Sequence, residues 1–368
     1  MEDYLLILAD SHFVEPPSMW AERIDRKFRD RAPHTVRNLN GREGEYFVCV
    51  NIVPIAVAGF FGAGVPSQEL PEHNKKGFAQ APLSVTDPAY RIKDLDRDGV
   101  QAEVIYTSMG MPLFGLEDGE LRAACFRAFN DWAVEYCSYD FKRLIPLGLI
   151  TLEDIPAAVA ELQRIAKKGA RGVMIWAEPA PDHPYSAPEY EPFWAAAQDL
   201  NTPLSLHILT SRAGTGPTAQ GGMMLNLATI HHAIERSLVV MVYGGVLEKF
   251  PRLKIVSAEN DVGWMAYLMY RLDTVQNRMG ALGGMKLPMR ASEYIKRQVY
   301  ATFIADPTFV DLLERYPADN IMWSSDYPHT AATFPRSREI VNKRLGMLAP
   351  DQLRKIVRDT ASRVYGIE

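Results

Sequence analysis

Acidic and histidine side chains lie at the ends of several short apolar segments of this sequence. The first segment ends in Asp-x-His, a later one ends in His, another ends in Glu, and the last ends in Asp and is followed by Tyr-Pro-His. The residues concerned are Asp10, His12, His207, Glu259, Asp326 and His329. Carboxylates and imidazoles are ligands that Zn²⁺, Fe²⁺ and Mn²⁺ take in proteins. Burying such groups together without a cation is costly, so the set predicts a divalent metal site.

The apolar segments that carry these residues indicate strands. They are rich in Val, Ile and Leu and do not alternate with polar residues, which is typical of strands buried on both faces. Eight segments have this character: 5–10, 102–107, 144–150, 172–177, 203–207, 253–259, 299–304 and 321–326. Helical patterns lie between them: 121–140, 155–167, 187–200, 224–236 and 349–365. Strands that alternate with helices predict a parallel sheet, and eight of them predict a single (β/α)₈ TIM barrel over residues 1–368.

In such a barrel the chemistry lies at the carboxyl ends of the strands. Alternate residues of a strand point to the same face, so we expect Asp10 and His12 to face the barrel axis together. No Gly-x-Gly-x-x-Gly pattern follows the first strand, which argues against a dinucleotide-binding fold.

Residues 30–90 interrupt the alternation, because this segment is long and contains many Gly and Pro residues. Its centre, residues 45–58, is expected to form a small hairpin. We interpret the segment as a lid-like insertion after strand 1 that lies over the barrel mouth. Phe60 and Phe61, which glycines flank, are candidates for an apolar wall there, and packing in an oligomer interface is the alternative.

The composition argues against several function classes. The 368 residues include 40 Lys and Arg and 45 Asp and Glu, a net charge of −5, without the basic blocks that favour nucleic-acid binding. Three scattered cysteines do not fit a disulfide framework or a thiolate zinc site. The longest apolar stretch, residues 52–65, is shorter than the roughly 20 residues of a membrane span, and the first residues lack the basic region of a signal peptide. We therefore expect a cytoplasmic protein with a small-molecule substrate and no nucleic-acid or membrane partner.

The motifs together resemble the amidohydrolase superfamily. More narrowly, they resemble its amidohydrolase-related branch, which includes the aminocarboxymuconate-semialdehyde and hydroxybenzoate-type decarboxylases. Besides the Asp-x-His, the His after strand 5 and the late SDYPH, phrases that fit the branch span most of the chain: ADSHFVEPPSMW, LDRDGVQAEVIY, CFRAFNDWAVEY, KGARGVMIW and LEKFPRLKIV. The resemblance implies a metal-dependent barrel enzyme with ligands from Asp10, His12, His207 and Asp326. It also implies an oligomer, either a homodimer or tetramer or a hetero-oligomer with a paralogue.

Two positions depart from the branch. The first motif is often His-x-His or Glu-x-His there, and Asp10 keeps an oxygen ligand at that place. At strand 6 the branch often has His, whereas this chain has Glu259. Because a carboxylate and a protonated imidazole polarise a substrate in opposite senses, the decarboxylase mechanism does not transfer unchanged.

The main hypothesis is one divalent ion, Zn, Mn or Fe, that activates a water molecule or holds a substrate carboxylate. The reaction is then hydrolysis or non-oxidative decarboxylation of a small molecule that carries a carboxylate or an amide. The candidate catalytic residues, which hold or move protons, are Asp326, Glu259 and His329. A carboxylate beside a cation has a lowered pKa, which suits a base and slightly favours hydrolysis.

Two residues are candidates for substrate binding. Arg212, five residues after His207, is placed to bind a substrate carboxylate, and a surface arginine is the alternative. Trp176 ends the fourth predicted strand and either lines the pocket or completes the core. His231 and His232 lie within a helical pattern, so we expect them to be structural or on the surface.

Two other functions stay open at this point. Glu259 and Glu15, added to the ligands already named, form a carboxylate-rich set of the kind that holds two iron or manganese ions. The resemblance extends to a few members of the branch that are monooxygenases, the 2-aminoisobutyric acid hydroxylase among them. In that case Glu15 is a ligand, and otherwise it caps the Glu-Pro-Pro turn. The third function is that of a catalytically degenerate metal-binding partner subunit.

Overall fold

Eight parallel strands form the centre of the structure, a computed structural model that describes residues 5–212, 222–280, 282 and 286–368. The strands of the described residues are β1 (Leu6–His12), β2 (His34–Leu39), β3 (Arg42–Val48), β4 (Ile55–Ala56), β5 (Val100–Tyr106), β6 (Leu144–Leu149), β7 (Gly172–Ile175), β8 (Leu204–His207), β9 (Ile255–Ala258), β10 (Val299–Phe303) and β11 (Ile321–Trp323). β1 and β5 to β11 are neighbours in chain order. Helices flank them, which confirms the predicted (β/α)₈ barrel.

Backbone hydrogen bonds join the two ends of this sheet. The N–H of His12 donates to the carbonyl of Tyr327 at 2.7 Å, and the N–H of Asp326 donates to the carbonyl of Asp10 at 3.2 Å. The segment after β11 is thereby attached to the carboxyl end of β1, where the candidate ligands lie.

Each of the eight apolar segments overlaps one barrel strand, and six of these strands end one to three residues earlier than predicted. β9 ends at Ala258 and β11 ends at Trp323, so Glu259 and Asp326 lie beyond their strands. Both residues have positive φ angles, 51° and 60°, which strands do not adopt. The chain therefore turns at both positions and aims these carboxylates away from the strand direction.

The helices surround the barrel. Those of the described residues are α1 (Met19–Arg23), α2 (Leu70–Lys76), α3 (Pro88–Asp98), α4 (Gly119–Cys137), α5 (Ile155–Lys168), α6 (Glu191–Asp199), α7 (Gly222–Thr229), α8 (His231–Tyr243), α9 (Val246–Lys249), α10 (Gly263–Met279), α11 (Ala291–Gln298), α12 (Ser337–Leu345), α13 (Pro350–Arg354) and α14 (Thr360–Tyr365). α5 begins with an Asp154 side chain that accepts from Ala157 N and ends at Gly169 with φ 118°, as its sequence predicts. Within the described residues, no helix combines the length and apolarity needed to cross a bilayer.

The prediction of one helix over 224–236 is wrong, because α7 ends at Thr229 and α8 continues to Tyr243. The Thr229 hydroxyl donates to the Leu225 carbonyl at 2.8 Å, and such a bond competes with the helical pattern. The pattern over 349–365 likewise forms two helices, which a π turn at Lys355–Asp359 joins.

The segment between β1 and β5 carries a small antiparallel sheet in the order β2-β3-β4. β3 pairs with β4 through Tyr46 and Ala56, which confirms the hairpin expected over 45–58. A 3₁₀ turn at Val57–Phe61 follows and contacts the segment after β11: Thr330 N donates to Gly59 O at 3.1 Å. This part of the insertion therefore lies at the carboxyl end of the barrel.

Asn130 connects the outer helix α4 to the barrel. Its amide nitrogen donates to the Leu149 carbonyl at 3.0 Å, and its amide oxygen accepts from the Leu149 N–H at 2.7 Å. Asn130 is buried, so its side chain satisfies both backbone groups of Leu149 at the end of β6. This contact explains why a polar residue lies on the inner face of an amphipathic helix.

Candidate metal centre

Three predicted ligands meet at the carboxyl end of the barrel. Asp10 and His12 lie on β1, His207 ends β8, and all three side chains are buried. Their donor atoms lie within 4.8 Å of one another. Asp10 Oδ1 is 3.4 Å from His12 Nε2 and 3.7 Å from His207 Nε2. Residues nearly 200 positions apart in the chain thus form one cluster.

Backbone carbonyls fix the orientation of both imidazoles. His12 Nδ1 lies 2.9 Å from the carbonyl oxygen of Thr107, and His207 Nδ1 lies 2.9 Å from that of Ile208. Since a carbonyl only accepts, each Nδ1 carries the hydrogen, and the neutral ring presents the lone pair of Nε2 to the cluster. This arrangement, in which the other ring nitrogen donates to a carbonyl, is typical of metal-binding histidines.

A divalent cation fits the unpaired atoms of the cluster. Eight buried side-chain N or O atoms of the described residues lack a hydrogen-bond partner, and four of them belong here: Asp10 Oδ1, His12 Nε2, His207 Nε2 and Asp326 Oδ1. Buried polar atoms are normally paired, so their concentration at one place calls for an explanation. Two imidazole nitrogens and carboxylate oxygens are a donor set for Zn²⁺, Mn²⁺ or Fe²⁺. The residues therefore fit the ion that the sequence predicts.

Thr302 of β10 orients the Asp10 carboxylate. Its hydroxyl donates to Asp10 Oδ2 at 2.8 Å and accepts from the backbone N–H of Glu259 at 2.7 Å. Asp10 Oδ1 is thereby left to face the two imidazoles. Sequence reasoning missed Thr302, and its only signal was a polar residue within the apolar segment VYATF.

Asp326 borders the cluster from the turn after β11. Its Oδ1 lies 3.3 Å from His12 Nε2 and 2.7 Å from His329 Nδ1. His329 Nε2 lies 2.7 Å from the hydroxyl oxygen of Ser108. Because that hydroxyl donates its hydrogen to the Phe13 carbonyl at 2.5 Å, His329 Nε2 donates to it. His329 Nε2 is therefore bonded within the protein, and its Nδ1 faces Asp326 Oδ1.

Burial and neighbouring charges perturb these groups in the metal-free chain. Burial raises the pKa of Asp326 to about 7, although the His12 imidazole opposes this shift. Burial also acts on Asp10, but its electrostatic interactions with the neighbouring His12 and His207 imidazoles outweigh it and lower its pKa. Burial and the neighbouring His12 imidazole lower the pKa of His329. Without an ion, the Asp326 carboxyl group is therefore partly protonated near neutral pH, because its pKa is about 7.

Glu259 lies at the open side of the cluster. Its Oε2 is 3.4 Å from His207 Nε2 and 3.7 Å from His12 Nε2, and 21% of its side chain is exposed. The structure thus brings Glu259 next to both imidazoles, as expected for a ligand or a proton-transfer group. Its role stays a prediction.

Glu15 lies outside the cluster. It is fully buried, and its two oxygens accept from the Thr107 hydroxyl and, at 2.9 Å, from the Met109 N–H. Burial raises the pKa of this carboxyl group. Both oxygens of Glu15 are thus engaged within the protein, and its role as a ligand of a second ion stays a prediction. His12, Asp326 and His329 form a second group of possible metal ligands that adjoins the first.

The two predicted substrate-binding residues have partners within the protein. Arg212 Nη2 lies 3.2 Å from Glu153 Oε1 in a partly exposed ion pair. Trp176 is buried, and its indole N–H donates to the Phe114 carbonyl at 3.0 Å. Whether either binds substrate stays a prediction. The ring of Phe60, from the insertion, lies 5.4 Å from that of His329 and lines this end of the barrel.

His231 and His232 begin α8, where their donor atoms and that of Glu235 lie within 4.8 Å of one another. Their side chains are exposed or half-buried, as expected for residues at the surface.

Known proteins show the same architecture. The structure of an amidohydrolase from Mycobacterium avium subsp. paratuberculosis K-10 is similar, with a TM-score of 0.78, 22% identity and full coverage of both chains. A dihydroxybenzoic acid decarboxylase from Polaromonas sp. JS666, solved with bound manganese and 2-nitroresorcinol, gives a TM-score of 0.68 at 16% identity, over 99% of this chain and 97% of that one.

Sequence comparison gives a consistent result. The γ-resorcylate decarboxylase of Rhizobium sp. strain MTP-10005 is 24% identical over 250 residues, which are 65% of this chain and 76% of that protein. The model of the amidohydrolase family matches residues 11–367, nearly the whole sequence. As the resemblance implies, this chain belongs to the amidohydrolase family.

Proposed function

We propose that this protein is a metal-dependent, non-oxidative decarboxylase of a small carboxylate, with Asp10, His12 and His207 holding one divalent cation. One observation carries the proposal: three buried donor atoms without partners, from Asp10, His12 and His207, converge at the carboxyl end of the barrel, beside the buried carboxyl group of Asp326. The names of the sequence relatives support decarboxylation over hydrolysis, since they are decarboxylases of aromatic or unsaturated carboxylates.

The proposed reaction combines the charge of the cation with a proton from Asp326. When bound, the cation supplies charge that orients a substrate carboxylate and stabilises negative charge that develops next to it. Asp326 donates a proton to the substrate carbon that loses the carboxylate. The bond from that carbon to the carboxylate breaks, its electron pair stays on the carbon, CO₂ leaves, and the new C–H bond takes the Asp326 proton. Solvent then reprotonates Asp326.

His329 and Glu259 support this transfer in different ways. His329 packs its Nδ1 against Asp326 Oδ1 at 2.7 Å, and the bond to Ser108 holds the ring in place. Phe60 covers His329 and helps to exclude water from the proton donor. Glu259 faces the two ligand imidazoles from the exposed side and keeps them oriented.

The test is CO₂ release by the manganese-loaded protein under argon from a panel of hydroxybenzoates and unsaturated dicarboxylates. We expect one CO₂ for each substrate molecule consumed and a loss of about 10²–10⁴-fold in kcat for Asp326→Asn, as for removal of a proton donor. Asp98→Asn is the matched control, because it changes another buried carboxyl group that is bonded to Ser337.

Three outcomes would contradict the proposal. Cleavage of amides or esters without CO₂ would indicate a hydrolase, and turnover that requires O₂ would indicate an oxygenase. Wild-type activity in Asp326→Asn would remove Asp326 from the reaction.

A further inference from the structure

A buried ion pair lies directly behind the metal centre. Arg91 of α3 and Glu103 of β5 are 2% and 0% exposed. Arg91 Nε donates to Glu103 Oε1 at 2.7 Å, and Arg91 Nη2 donates to Glu103 Oε2 at 2.8 Å, which is a bidentate pair. Buried ion pairs are expensive to desolvate and are weak evidence for stability alone, so this one requires another reason.

The remaining N–H groups of Arg91 contact the two segments that carry metal-site residues. Its Nη1 donates to the carbonyl of His12 at 3.0 Å, at the end of β1. Its Nη2 also contacts the carbonyl of Tyr327 at 3.3 Å, one residue after Asp326. The same Tyr327 carbonyl accepts from the backbone N–H of His12. One guanidinium group thus joins the backbone next to two of the unpaired donor atoms.

The Tyr327 side chain strengthens this connection. Its ring lies under the guanidinium group at 4.4 Å, and its hydroxyl bonds to Asp94 at 2.5 Å and to Ser84 at 2.9 Å. Arg91 therefore contacts the segment after β11 both through its carbonyl and through its ring.

We propose that Arg91, held by Glu103, is a positioning residue: it fixes the carboxyl end of β1, which carries the ligands Asp10 and His12, against the segment after β11, and thereby sets the affinity for the metal ion. The inference rests on the metal site of the proposed function but does not require decarboxylation. The planar fork of arginine is needed, because a single group must serve a carboxylate and two carbonyls in different directions. The compact ammonium group of lysine cannot do so.

The test is the Mn²⁺ dissociation constant, measured by electron paramagnetic resonance of free Mn²⁺. In the double variant Arg91→Met with Glu103→Leu, apolar residues replace both charges, so no unpaired charge remains buried. We expect this variant to fold, with a urea midpoint near that of the wild type, and to bind Mn²⁺ about 10–100-fold more weakly, the usual effect of losing an outer partner of a metal site.

Arg91→Lys provides a second variant that keeps the charge. It is expected to weaken Mn²⁺ binding as well, because it loses at least one carbonyl contact. Arg164→Lys is the matched control: Arg164 forms the same bidentate pair with Glu161, at 2.7 Å for both bonds, on the outer helix α5. Its Mn²⁺ affinity is expected to equal that of the wild type.

The outcomes separate positioning from structural support. If Arg91→Lys or the folded double variant binds Mn²⁺ within twofold of the wild type, the positioning role is refuted. If affinity falls equally in Arg164→Lys, the effect is general loss of stability and the proposal also fails. Absence of Mn²⁺ binding by the wild type would overturn the metal centre itself, whereas absence of decarboxylation would leave the positioning role intact.

Discussion

Manganese is expected to stabilise the folded chain, and the Asp10→Asn substitution is expected to remove that stabilisation. The donor atoms of Asp10 and His207 come from strands that are far apart in the sequence, so the unfolded chain does not assemble the site. A ligand that binds only the folded state at 100 times its Kd stabilises by about 2.7 kcal/mol. With about 2.1 cal/mol/K of unfolding entropy per residue over 368 residues, the melting temperature rises by about 3–4 °C.

The assay is scanning calorimetry of protein treated with EDTA and then titrated with Mn²⁺. Asp10→Asn removes the negative charge from the oxygen that faces both imidazoles, while the Thr302 bond keeps the side chain in place. We expect its melting temperature to change by less than about 1 °C at the same Mn²⁺ concentration. Asp98→Asn is expected to retain the full rise. An equal rise in wild type and Asp10→Asn would refute the assignment of Asp10 as a ligand.

Other predictions concern pH, packing and substrate. In the metal-free protein, burial holds the pKa of Asp326 near 7, above its unfolded value, so its neutral form favours folding. The unfolding free energy of the wild type minus that of Asp326→Asn is therefore expected to fall as pH rises from about 4 to about 7. A difference that stays constant with pH in urea titrations would contradict this. Asn130→Ala leaves two buried backbone groups of Leu149 unpaired and is expected to lower the free energy of unfolding, measured in urea, by about 2–4 kcal/mol. A loss under about 0.5 kcal/mol would contradict this role of Asn130. Arg212→Met is expected to raise KM about tenfold with kcat unchanged, as for lost uniform binding of a substrate carboxylate, and an unchanged KM would show that Arg212 serves only its pair with Glu153.

The barrel could be predicted because its strands are continuous apolar segments that are buried on both faces. The pair Asp10 and His12 could also be predicted to share a face, since it depends only on the two-residue period of a strand. His207 ends its strand as expected. These features are local, and local patterns determine them.

The rest of the site depends on contacts that local patterns do not contain. Asp326 and Glu259 were expected to end strands, but each lies in a turn with positive φ that the ring of strands stabilises. Thr302 is nearly 300 residues from the Asp10 carboxylate that it orients. The engagement of Glu15 by Thr107 and Met109 likewise requires the β1 and β5 ends to be adjacent.

Anomalous diffraction from crystals grown with Mn²⁺, recorded on both sides of the manganese absorption edge, tests the metal centre most directly. We predict one peak in each chain, bonded to Asp10 Oδ1, His12 Nε2 and His207 Nε2. A fully occupied peak elsewhere with none between these three atoms would contradict the metal assignment and the decarboxylase mechanism built on it.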